Sequence, residues 1–201
     1  LRPFGAGLLD SRSVSTSMMA FVLLLLATVL YDGVLATPEW IKVESALAAH
    51  IRGTGELAFI VIRTTGLVAF WLVFFGAFVA VSAVMSVVTA GRLSPLDMAK
   101  NFAFTLVPIV IGYHLAHYLS FVVMAAQYLI PLASDPLGVG WDLFGTARYF
   151  VRIGIVDARF VWYASVTAIV TGHVAAVYLA HAMALRVFAD KRAALRSQYP
   201  M

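Results

Sequence analysis

Four stretches of this chain carry no charged residue: residues 13–31, 64–91, 101–134 and 160–185. Each reaches or exceeds the roughly 20 residues that a helix needs to cross a hydrocarbon layer about 30 Å thick. A backbone facing lipid must satisfy its own hydrogen bonds, and a helix does so within one segment. The sequence therefore predicts an all-α fold, a polytopic membrane helix bundle with four transmembrane helices and one or two interfacial helices. Of 201 residues, 62% are hydrophobic and 12% charged, which excludes an ordinary soluble globule.

The spans are expected over residues 18–36, 57–91, 102–130 and 160–187. Residues 40–52 mix Trp40, Ile41, Val43, Leu47 and Ile51 with Lys42, Glu44 and Arg52, the pattern of a short helix lying on the membrane surface. Arg92, Ser94 and Pro95 mark a turn, Pro108 a kink in the third span, and Pro131 its end. The loop that follows, about 25 residues long, places Trp141, Tyr149 and Phe150 where aromatic residues favour the headgroup belt. No internal repeat or linker divides residues 1–201, which read as a single bundle. Leu1 is no initiator and the end at Met201 is abrupt, so a longer polytopic chain is expected.

Arg2, Arg12, Arg92, Lys100 and four C-terminal basic residues stand against Lys42, Arg52, Arg63, Arg148, Arg152 and Arg159, eight to six. This balance predicts that both ends of the segment lie in the cytoplasm. The net charge of +4 is spread over the membrane flanks and gives no basis for nucleic-acid binding. The absence of cysteine excludes thiolate metal sites, iron–sulfur ligation and cysteine-attached haem by this chain.

Four histidines fall inside the spans, where ionisable groups point to function. His114 and His117 share a helix face, about 4.5 Å apart along the axis, and His173 is expected at similar depth. Three imidazoles at one depth would suit Zn or Cu with a position open for water. A b-type haem is the alternative, with His114 or His117 opposite His173 as axial ligands and His173 and His181 as the cofactor-binding candidates; interhelical hydrogen bonding by the same histidines is a third reading. His181 lies about 12 Å from His173 along the helix, outside the expected metal cluster. Asp32 and Arg63 match in depth at the outer face, either as a structural ion pair or as a proton acceptor and an anchor for an anionic oxygen. Ala168, Gly172, Ala176, Ala180 and Ala184 recur every fourth residue, a ridge open to other transmembrane helices or subunits.

The segments Tyr31-Asp32-Gly33, Thr37-Pro38-Glu39-Trp40 and Gly172-His173-Val174-Ala175-Ala176-Val177-Tyr178-Leu179-Ala180-His181 resemble those of bacterial polytopic membrane proteins labelled fenitrothion hydrolase. That resemblance covers most of the chain and implies hydrolysis of a lipophilic phosphorothioate ester. It assigns no residue a role. Two functions follow as expectations: a metal-dependent hydrolase-like enzyme fed from the bilayer, or a haem-binding or structural accessory subunit of a respiratory or photosynthetic membrane complex.

Overall fold

The computed structural model describes residues 5–9, 14–51 and 55–200. Arg2, Arg12 and Arg52 of the charge balance, and both chain ends, lie outside them. Every regular element among the described residues is helical. The helices are α1 (Thr16–Leu35), α2 (Pro38–His50), α3 (Gly55–Val88), α4 (Pro95–Phe102), α5 (Val107–Ala125), α6 (Leu129–Ser134), α7 (Ala158–Val187) and α8 (Lys191–Arg196). Short 3-10 turns occupy Ala6–Leu9, Ala103–Leu106 and Ala126–Tyr128. Four helical segments are long and apolar enough to span a membrane: Thr16–Leu35, Gly55–Val88, Pro95–Ser134 and Ala158–Val187.

The third span begins earlier than expected, because the turn ends before Ser94 and a helix starts at Pro95. Ser94 caps α4, its hydroxyl accepting the Asp97 N–H at 3.1 Å, and Pro95 follows where a missing N–H has no consequence. Pro108 acts as its chemistry dictates. It cannot donate to Phe104, so the preceding turn tightens to 3-10 and the Phe104 carbonyl accepts from Val107 instead.

The chain divides into two compact units, the first formed by residues 1–110 and 173–201, the second by residues 111–172. In the first unit Met19 and Leu23 of α1 are fully buried with Ala99 and Ala103, and Trp71, Phe74, Phe75 and Phe78 of α3 pack around them. The spacing of four between Met19 and Leu23 puts both on one stripe of α1. The Trp71 indole donates to the Ala20 carbonyl at 3.2 Å. A second apolar cluster joins Met85, Met98 and Phe102 to Met183, Ala184, Phe188 and the buried Ala193 and Ala194 of α8.

In the second unit α5 and α7 meet where both are small. A methyl group added to Gly112 would lie 2.6 Å from the Ala168 carbonyl oxygen and 3.5 Å from the Gly172 Cα. Ser165 donates to the Ala116 carbonyl at 3.1 Å one turn further on. Ala168 and Gly172 are thus covered from within the chain, and Ala176 and Ala184 are buried as well, so the ridge is largely consumed by internal packing. The loop after α6 is clasped by two buried polar side chains. Ser134 donates to Asp142 at 2.8 Å, while Gln127 accepts from the Tyr149 hydroxyl and the Arg152 N–H, both at 3.0 Å.

Candidate functional site

The best-built polar group lies in the first unit, where α1 turns into α2 and both pack on α3. Thr37 makes the turn: its hydroxyl donates to the Val34 carbonyl at 2.7 Å and accepts from the Trp40 N–H at 3.3 Å, and Pro38 opens α2. That turn stands Trp40 edge-on against Tyr31, ring centroids 5.4 Å apart with planes at 80°. Phe70 flanks Tyr31 at 5.7 Å. Gly66 makes room for both rings, since a Cβ there would come 2.1 Å from the Tyr31 hydroxyl and 2.7 Å from Trp40.

Arg63, one turn before Gly66, takes the Glu44 carboxylate as a partner, a residue outside the expected site. Its Nε donates to Oε1 at 2.5 Å and Nη2 to Oε2 at 3.2 Å, a two-pronged pair. Glu44 is nearly enclosed, with 7% of its side chain exposed against 55% for Arg63. The Arg63 hydrogen bond holds the Glu44 carboxyl below the usual carboxylate range, with partial burial opposing it. α3 is 34 residues long, about 51 Å by helical rise, and therefore overhangs a ~30 Å core. Arg63, eight residues from its start, can sit at the headgroup boundary.

Two donors in this corner have no partner among the described residues: the Tyr31 hydroxyl and the Trp40 indole N–H, both buried. Tyr31 as a whole is 3% exposed. An unsatisfied buried donor of this kind costs about 1–3 kcal/mol. Two neutral donors and a guanidinium, one from each of three helices, thus border this corner. Asp32, next in sequence to Tyr31, is half-buried.

The histidines are differently placed. His114 is half-buried and His117 exposed on α5, with Tyr118 against both at centroid distances of 6.0 and 4.7 Å. His173 and His181 on α7 are exposed, and the His181 Nδ1 lies 2.9 Å from the Gln198 side-chain oxygen. Among the described residues no group of three or more His, Cys, Asp or Glu side chains able to hold a metal ion is found; His114 and His117 belong to the second unit and His173 to the first.

Tyr31, Trp40, Glu44 and Gly66 escaped the reading of the sequence as a site. One signal for Glu44 was present. At 100° per residue, Val43, Leu47, Trp40, Ile51, Glu44 and Ile41 fall on a single arc of about 160°, and the acid stands inside that apolar arc. A carboxylate in such a position calls for a cation at the same depth. No protein-family model, curated protein or solved structure matches the chain.

Proposed function

We propose that this chain is a hydrolase-like membrane enzyme in which the α1–α2–α3 corner binds the acceptor oxygen of a lipophilic ester. The observation that carries the reading is the pair of buried, partnerless donors, Tyr31 hydroxyl and Trp40 N–H, beside the Glu44–Arg63 pair. A site built to donate hydrogen bonds to developing oxyanion charge needs donors held in place without a partner of their own. In this reading an ester enters from the bilayer, the rings part to let its P=O or C=O oxygen accept from the two donors, and water attacks the phosphorus or carbonyl carbon. Asp32 takes the proton from that water and the aryl oxide leaves. The corner faces outward from a bacterial inner membrane, with the opposite helix ends in the cytoplasm. The reading does not draw on the histidines; Zn or Cu on His114, His117 and His173 is a separate proposal, decided by metal content per chain in the purified protein.

The test is turnover of a chromogenic aryl phosphotriester and an aryl carboxylate ester by the detergent-purified protein. Wild type turns over one of them, Tyr31→Phe lowers kcat/KM about a hundredfold, as loss of one oxyanion donor does, and Asp32→Asn abolishes turnover. No turnover of either ester, or an unaltered Tyr31→Phe, overturns the reading.

One observation favours a second function, that of an accessory subunit. Only 6% of the most apolar window of α3 is buried within the chain, which leaves a long apolar face for lipid or another membrane subunit. In that case stoichiometric co-purification of a partner is expected, and a reduced-minus-oxidised spectrum decides whether His173 or His181 carries haem.

A further inference from the structure

At the opposite end of α3 from Arg63 the chain folds a basic pocket that the proposed reaction does not use. α3 ends at Val88, Thr89 closes it by donating to the Met85 carbonyl at 2.9 Å, and Ala90 and Gly91 turn the chain through positive φ of 59° and 69°. This turn delivers Arg92 toward α8. α8 is held in place from below, because Ala193 and Ala194 are buried in the cluster with Phe188 and Met183. Its Arg192 and Arg196 are four residues apart and so project from one face. Between them lies a cavity of about 180 Å³, lined by Val88, Ala90, Arg92, Asp190, Arg192 and Arg196 among others.

The charges in this pocket are unbalanced. Three guanidiniums face one carboxylate, and that carboxylate is already engaged: Asp190 Oδ1 caps α8 by accepting the Arg192 N–H at 3.0 Å, and Oδ2 meets Arg92 Nη2 only at 3.6 Å. Neither Arg192 nor Arg196 has a carboxylate partner among the described residues. Like charges one helical turn apart repel, so the fold holds together groups that a bound anion would relieve. The cavity takes a phosphate group with its ester arms. Apolar surface begins at its rim: Val88 lines it, and Val87 and Leu195 are exposed beside it at 78% and 53%. Basic pockets at the ends of membrane spans bind phosphate-bearing headgroups for this reason, with charge at the headgroup and apolar side chains along the acyl chains.

We infer that Arg92, Arg192 and Arg196 form a binding site for a phosphate-bearing anion, supplied by an anionic phospholipid headgroup or by a soluble phosphate. The test measures binding of the detergent-purified chain to phosphatidylglycerol vesicles, phosphatidylcholine vesicles and inorganic phosphate. Tight binding to phosphatidylglycerol alone, reduced about 25-fold in Arg192→Gln/Arg196→Gln, assigns the site to lipid; the figure is about fivefold for each arginine removed. Equal protection of the wild type by inorganic phosphate, lost in the same variant, keeps the site and assigns it to a soluble anion. No preference for phosphatidylglycerol over phosphatidylcholine and no phosphate binding overturns the inference, as does an unchanged affinity in the variant. Should that variant fail to fold, photoreactive phosphatidylglycerol on the wild type decides: label must fall on residues 87–92 or 190–196, and label elsewhere overturns the site.

Discussion

Arg63 grips Glu44 with two parallel hydrogen bonds, Nε to Oε1 at 2.5 Å and Nη2 to Oε2 at 3.2 Å, and so fastens α2 to α3 across nineteen residues of sequence. The two partners are unequal, since the acid is enclosed while half of the arginine remains in contact with its surroundings. This asymmetry sets the outcome of breaking the pair from either side.

Removing the cation leaves a carboxylate enclosed without a partner, whereas removing the acid leaves a guanidinium whose long stem can carry it to the headgroups. Arg63→Gln is therefore expected to lower the thermal midpoint in detergent more than Glu44→Gln does. The reverse ranking would show that the pair is not what shelters Glu44.

The same pair sets a pH dependence. The folded-state pKa of Glu44 lies below its unfolded value, so its contribution to stability is complete above the ordinary carboxylate range and is lost as pH falls through the lowered folded value. Asp142 acts with the same sign, held low by the Ala147 N–H and the Ser134 hydroxyl. Thermal midpoints taken from neutral to acid pH should fall for the wild type and fall less steeply for Glu44→Gln and for Asp142→Asn. A stability that rises toward acid would contradict both assignments.

The membrane spans could be read from the chain because length and absence of charge leave a lipid-exposed backbone no other conformation. The stops at Thr37-Pro38 and Ser94-Pro95 were also open to reading, although the second proved to start a helix as well as end a turn. Rotation about the helix axis was not. Glu44 stands in a segment expected to lie on the membrane surface, and only the packing of α2 on α3 turns it toward Arg63. Gln127 and Ser134, in a stretch without charge, clasp a loop whose partners lie 8 to 25 residues away, beyond any local pattern.

Gly66 is expected to tolerate no side chain. In Gly66→Ala the new methyl meets the hydroxyl of the buried Tyr31 at 2.1 Å and the half-buried Trp40 ring at 2.7 Å, and overpacking of this kind costs about 1–3 kcal/mol. Tyr31→Phe removes the nearest atom but leaves the ring carbon at 3.1 Å. The double variant should therefore recover part of the lost stability. Strict additivity of the two single changes in denaturant unfolding would refute this contact.

Two glycines inside spanning helices offer a matched comparison. A Cβ on Gly112 strikes the Ala168 carbonyl oxygen at 2.6 Å, a backbone atom that cannot rotate away, while a Cβ on Gly76 meets nothing within 4 Å. Gly112→Ala should destabilise by about 1–3 kcal/mol by forcing α5 from α7, with the Ser165 hydrogen bond to Ala116 lost in consequence. Gly76→Ala should be neutral or stabilise by up to about 1 kcal/mol, the difference in helix propensity. The chemical change is identical in the two variants, so unfolding midpoints displaced equally would show that neither position is governed by helix contact.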